Sequence, residues 1–170
     1  MTRQCLEVLI EDDIPISILT KSALVTRDTD LLAAFSSCDV GLTVEFASDH
    51  VSTIFDPLAS PISKRIEALA LLKKSGIRTY AFIGPILPQL TNLRRIIELV
   101  AGKIDFLMAE SLNMRCGNKQ AILAVVEKHF PELLKAYQKG FSRQYWQAVQ
   151  QEVEALCADH DILLKGFYDH

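Results

Sequence analysis

The residues of this chain that could do chemistry stand in or just after apolar runs. "ISILTKS" puts Lys21 and Ser22 at the end of one run, and "DVGLTVEF" carries Thr43 and Glu45 within a second. "AESLNMRCGN" brings Glu110, Asn113, Arg115 and Asn118 to the end of a third. Ammonium, carboxylate and amide groups placed this way suit a polar ligand, and each also has a structural reading. Lys21 can be solvated or ion-paired, Glu45 can pair with Lys21 or Arg65, and Glu110 and Asn113 can cap the loop that follows them. The four histidines, His50, His129, His160 and His170, are scattered among helices and termini, so none receives a catalytic role. The cysteines, Cys5, Cys38, Cys116 and Cys157, lie far apart with no C-x-x-C pair. Structural disulfides and a self-contained metal site are therefore not expected. The glycine-rich nucleotide fingerprints and the G-x-S-x-G elbow are absent.

The elements that would position these groups follow from periodicity. Residues 3–12 have Leu6, Leu9 and Ile10 on one helical face. Extended runs are expected at 15–20, 39–46, 78–84, 104–110 and 162–167. In the second, alternation puts Val40, Leu42, Val44 and Phe46 on one face and Gly41, Thr43 and Glu45 on the other. Asp28 is expected to cap "TDLLAAF", Ser60 with Pro61 to open the helix "KRIEALALLKKS", Gly76 to stop it, and Thr91 to cap "NLRRIIELV". Residues from about 117 to 160 read as helices packed on the rest. Strands that are continuous apolar runs, alternating with helices, imply an α/β fold with a parallel sheet and covering helices. Five strands are too few for a closed eight-stranded barrel, which leaves an open sheet or a partial one. In such folds, sites form at the carboxyl ends of strands. "FIGPILP" would supply backbone there, with Gly84 allowing close approach and Pro85 and Pro88 fixing the loop.

Bulk numbers narrow the partners. The chain has 170 residues, the size of one domain, and a net charge of −3, which gives no general attraction to nucleic acid. No stretch is long and apolar enough to span a membrane, and Glu7 and the acids after it break any signal peptide. These readings predict a single cytoplasmic domain over 1–170 with no membrane partner.

In order and spacing, "CLEVLIEDDIPISILTKS", "RDTDLL", "DVGLTVEF", "SPISKRIEALALLKKSGI", "TYAFIGPILP" and "ESLNMRCGN" resemble radical S-adenosylmethionine proteins related to spore photoproduct lyase, the DNA repair photolyase-like family. The resemblance implies a partial (β/α) TIM-like barrel. It also implies cleavage of S-adenosylmethionine at a 4Fe-4S cluster, giving a radical that abstracts hydrogen in a lyase reaction of DNA repair. By resemblance, Lys21, Thr43 and Arg65 face S-adenosylmethionine, with Glu45, Glu110 and Asn113 lining the same cavity and Pro85 to Pro88 bounding it through backbone.

The family's C-x-x-x-C-x-x-C loop would precede a region like "CLEVL", and Cys5 and Cys38 do not replace it. The chain is therefore expected to lack the barrel's first strands and the cluster, and to be inactive alone. An exposed parallel edge at "PISILT" and an apolar inner face would be covered in a homo-oligomer or by a cluster-bearing partner chain. A contact with nucleic acid rests on family analogy alone. Where relatives carry a basic residue in the loop after "VEF", this chain has Leu58. The competing reading is a non-enzymatic binding or assembly module that keeps the frame without the chemistry. An unrelated small-metabolite α/β protein leaves the ordered series of motifs unexplained.

Overall fold

The computed structural model of the chain describes residues 2–115 and 117–170. The described residues form one five-stranded sheet and eight α-helices in near-strict alternation. The strands are β1 (Ile16–Thr20), β2 (Cys38–Thr43), β3 (Arg78–Ile83), β4 (Phe106–Glu110) and β5 (Leu163–Tyr168). They lie side by side in chain order, and every neighbouring pair is parallel. β1, β3 and β4 fall within the expected runs, and β2 and β5 overlap theirs. The α/β reading with a parallel, unclosed sheet therefore stands.

The helices are α1 (Thr2–Glu11), α2 (Thr29–Leu32), α3 (Asp49–Phe55), α4 (Ile62–Lys74), α5 (Leu93–Val100), α6 (Lys119–His129), α7 (Leu134–Lys139) and α8 (Arg143–Asp159). They cover one face of the sheet, because that face carries the apolar half of each strand. Leu42, Ala81 and Leu107 stand in one row across the sheet and are fully buried. They share a core with Ile66, Leu69 and Leu72 of α4, Ile96, Ile97 and Val100 of α5, and Val149, Val153 and Leu156 of α8. Each such side chain taken from water contributes about 1.5–3 kcal/mol, an upper estimate against a compact unfolded chain.

The opposite face is a shallow aromatic trough. Leu19, Gly41, Tyr80 and Phe106 form one row, and Thr43, Phe82 and Met108 the next. Tyr80 stacks on Phe106 with ring centres 4.8 Å apart. The Arg78 guanidinium lies 4.8 Å and the Lys165 ammonium 4.4 Å from the Phe106 ring centre, and both cations lean on Asp39. These contacts close the amino end of the trough. Gly41 is glycine because the Tyr80 ring crosses directly above it: a Cβ there would fall 2.2 Å from ring carbons. Gly41→Ala must push the ring off Phe106, so it is expected to cost about 1–3 kcal/mol. A urea midpoint equal to that of the parent would show that the ring moves freely.

Four local expectations change. The helix after the first strand starts as 3₁₀ (Ala23–Asp28), and Asp28 makes no cap bond. Instead it is buried between Arg27 and Arg3, which hold its carboxyl below the usual range, Arg27 more than Arg3. Ser60 does not cap α4, which has Pro61 at its N-cap; the Ser60 hydroxyl accepts from the Ala23 amide. Asn92 rather than Thr91 caps α5, accepting from the Arg95 amide. The segment between β2 and α4 holds a helix of its own, α3, which periodicity did not reveal because it is only seven residues long. Gly76 does end α4, at φ +80°. Cys38 is the first residue of β2 and is buried.

Candidate functional site

The carboxyl ends of β1 and β2 bring together four charged side chains from four separate segments. Lys21 follows β1, Glu45 follows β2, Asp56 follows α3, and Arg65 lies in the first turn of α4. Lys21 Nζ stands 2.6 Å from Asp56 Oδ2 and 2.8 Å from Glu45 Oε1. Arg65 Nη1 stands 2.9 Å from Glu45 Oε2. The remaining Arg65 donors are used as well: Nε donates to the Ser60 carbonyl, Nη1 to the Thr43 carbonyl and Nη2 to the Ser52 hydroxyl. Arg65 is fully buried and Glu45 nearly so. A buried guanidinium of this kind costs heavily to desolvate unless its donors are paired, as they are here.

Glu45 Oε1 is the exception. It is buried and lacks an aligned hydrogen-bond donor, because Lys21 approaches it as an ion contact while its aligned bond goes to Asp56. Burial pushes the Glu45 carboxyl above its usual range, helped by the adjacent Asp56 carboxyl, against the pull of Lys21 and Arg65. Asp56 moves the other way: burial works against its charge, but the bonds from Glu45 and Lys21 bring it below the usual range. Of this pair Glu45 is the member that takes up a proton first, and Asp56 stays ionised against Lys21.

Lys21 is half-exposed and lines a cavity of about 460 Å³ with Thr20, Ser22, Phe55, Asp56 and the loop to Ala59. That volume lies in the range of small-ligand sites. Leu58, at the lip of this cavity, is fully exposed. Thr43 is buried, and its carbonyl is spent on Arg65.

The structure thus brings Lys21, Thr43, Glu45 and Arg65 together, with Glu45 bound to both of the cations expected for it. It also adds Asp56, which was not among the expected site residues; its place before Pro57 in "FDPLASPISKR" was the signal. Glu110 and Asn113 stand apart, at the end of β4. Glu110 Oε1 lies 2.6 Å from His170 Nε2, and Asn113 Oδ1 accepts from the Arg115 amide. Asn113 lines a second cavity that shares no residue with the one at Lys21.

"FIGPILP" is packed rather than presented. Ile86, Leu87 and Pro88 are buried, and none of Pro85 to Pro88 lines either cavity. Thr91 ties the loop to the site, its hydroxyl accepting from the Leu87 amide and donating to the Glu45 carbonyl. Tyr137 pins the other side by donating to the Pro88 carbonyl.

Among the described residues no group of three or more His, Cys, Asp or Glu side chains is placed to hold a metal ion. Cys5 is exposed on α1, while Cys38 on β2 and Cys157 on α8 are buried; burial raises both buried thiols to about 11. These three do not fit an iron–sulfur cluster, which needs thiolates in one place. Cys116 lies outside the described residues. No helix among the described residues is long and apolar enough to cross a membrane.

The parallel sheet, with helices on one face and polar groups at its carboxyl ends, defines an α/β fold that solved structures share. A cysteine-to-serine mutant of spore photoproduct lyase superposes with a TM-score of 0.67 at 14% identity, covering 99% of this chain and 54% of that one. Spore photoproduct lyase complexed with dinucleoside spore photoproduct gives 0.64 at 15% identity, again over 99% and 54%. At such identity the likeness is one of fold.

No family model matches the chain. An uncharacterized protein of Methanocaldococcus jannaschii is 34% identical over 155 residues, 91% of this chain and 58% of its own length. An uncharacterized protein of Acidianus two-tailed virus is 26% identical over 160 residues, 90% of this chain and 48% of its own length. The chain therefore spans about half the length of the curated relatives it matches.

Proposed function

We propose that this chain forms the S-adenosylmethionine-binding wall of a radical enzyme related to spore photoproduct lyase, and that it does not generate the radical by itself. The observation that carries the reading is Glu45 Oε1, a buried carboxylate oxygen without an aligned donor, directly behind the Lys21 ammonium at a cavity mouth. The amino-acid end of S-adenosylmethionine is a zwitterion. Its carboxylate suits Lys21, and its ammonium suits the Glu45 and Asp56 carboxylates that Lys21 now holds. Thr43 and Arg65 act from behind, Arg65 by fixing Glu45 rather than by reaching the ligand. Glu110 and Asn113 belong to the end of β4, two strands from β2, and would meet a more distant part of the bound molecules.

In this reading S-adenosylmethionine supplies the group that is cleaved at a 4Fe-4S cluster, and the cluster is held by residues other than the described ones. The nucleic-acid substrate and the lyase reaction of DNA repair come to this chain by analogy with a neighbour complexed with dinucleoside spore photoproduct.

Isothermal calorimetry with S-adenosylmethionine tests the binding. Saturable heat that is lost in Lys21→Met supports it. Anaerobic reconstitution with iron and sulfide should leave the 170-residue chain without cluster absorbance near about 400 nm. A stable cluster on this chain would overturn the division of labour proposed here.

A second reading has its own support. Each Arg65 nitrogen is hydrogen-bonded within the chain, and Lys21 already faces two carboxylates, as in a purely structural network. The chain would then be a binding or assembly module. The open edge of β1, with Leu19 exposed beside it, would dock a second copy. This alternative requires no heat with S-adenosylmethionine and a dimer by light scattering; a monomer that binds S-adenosylmethionine excludes it.

A further inference from the structure

The second cavity, of about 360 Å³, lies at the carboxyl ends of β4 and β5, away from Lys21. Arg115, from the loop after β4, and Arg143, in the first turn of α8, both line it. Arg3, Arg27, Arg65, Arg78 and Arg95 each face a carboxylate. Arg115 and Arg143 have no ion pair among the described residues, and both are exposed. The acid in the wall, Asp169, is already engaged: its Oδ1 accepts from the Ser111 hydroxyl and from the His170 amide. His170, also in the wall, is held at 2.6 Å by Glu110. Asp169 keeps its negative charge, because its partners are neutral donors, and the two arginines leave the wall with an excess of positive charge.

The wall also holds two aromatic rings, beside Leu112, Asn113, Met114 and Gly140. Trp146 and Phe141 meet edge-on at 5.9 Å and both line the cavity, while Tyr145 braces them from the same turn of α8. A guanidinium presents two parallel donors that match phosphate oxygens, and the braced indole, buried except for 6% of its surface, offers a narrow apolar contact.

We infer that this cavity binds a phosphate-bearing ligand, with Arg115 and Arg143 clasping the phosphate and Trp146 contacting the group attached to it. The site stands on its own residues and does not depend on S-adenosylmethionine binding at Lys21. Its phosphate can come from a small phosphate compound or from the phosphodiester backbone of a nucleic acid strand. The chemistry recognised is the same in both.

Trp146 is the only tryptophan in the chain, so its fluorescence reports directly on this cavity. The 170-residue protein is titrated separately with inorganic pyrophosphate and with a hexathymidylate strand. A saturable change in emission is expected, weakened by added salt and roughly tenfold weaker in Arg115→Gln and in Arg143→Gln, the scale of one charge-assisted hydrogen bond. Circular dichroism matching the parent confirms that the variants fold, since both side chains are exposed. Tighter binding of hexathymidylate than of pyrophosphate assigns the site to a strand, and the reverse assigns it to a small phosphate compound. No change in emission with either probe at millimolar concentration would overturn the inference. So would binding that is unaltered in the variant lacking both arginines.

Discussion

Arg65→Met is expected to lower unfolding stability by about 3–5 kcal/mol, the cost of removing one partner of a buried ion pair. The guanidinium is fully buried and makes four hydrogen bonds, one of them a 2.9 Å ion pair with Glu45. Removing it strands the Thr43 and Ser60 carbonyls and leaves Glu45 with Lys21 as its remaining cation. Arg65→Lys keeps the charge but loses the forked donors, so an intermediate loss of about 1–3 kcal/mol is expected. Urea unfolding of both variants is the measurement. Adding Glu45→Leu to Arg65→Met should recover part of the loss, because a buried pair removed together costs less than one partner removed alone. A methionine variant within about 1 kcal/mol of the parent would show that water reaches this network.

Lys21→Met should separate binding from folding. Lys21 is half-exposed at the cavity mouth, so its loss is felt most by an incoming ligand. If its ammonium meets the carboxylate of S-adenosylmethionine, losing one charge-assisted contact of about 1.5–3 kcal/mol weakens binding by about tenfold to a hundredfold. Calorimetry reads this directly, and unchanged affinity would remove Lys21 from the site.

The variant should also carry a pH signature. Glu45 already sits above the usual carboxyl range through burial and Asp56, and without Lys21 it rises further. A carboxyl whose folded value exceeds its unfolded one holds its extra proton in the folded state. Stability from this source is complete below the unfolded value and is lost as the pH climbs through the folded one. Relative to the parent, Lys21→Met should therefore lose stability on going from mildly acidic to neutral pH. A parallel pair of stability curves would mean that Lys21 does not hold down the Glu45 carboxyl.

Some of this was open to inspection in the sequence. The five strands and their parallel kind were legible because a strand buried on its sheet must be apolar along its whole length, as "VGLTV" and "YAFIG" are. Gly76 was legible because a positive φ at a helix end selects glycine. The caps were less so. Ser60 and Thr91 have the right side chains in the right places, yet each hydroxyl is claimed by a more distant backbone group, Ala23 in one case and Glu45 in the other. Local preference is worth about 1 kcal/mol at a cap, and a buried amide or carbonyl in need of a partner outweighs it.

For the candidate site the division is sharper. The residue types at strand ends, Lys21, Glu45 and Glu110 among them, were set by the sequence, as was the alternation that puts Gly41 and Thr43 on the trough face. The partners were not. Asp56 reaches Lys21 across 35 residues, Arg65 reaches Glu45 across 20, and Arg115 and Arg143 come to one cavity from different elements. Periodicity carries information over a turn or a strand, because it reflects which face of one element is dry. Which charges meet is decided only when the helices close over the sheet and exclude water, for only then does a carboxylate's need for a partner become large enough to choose one.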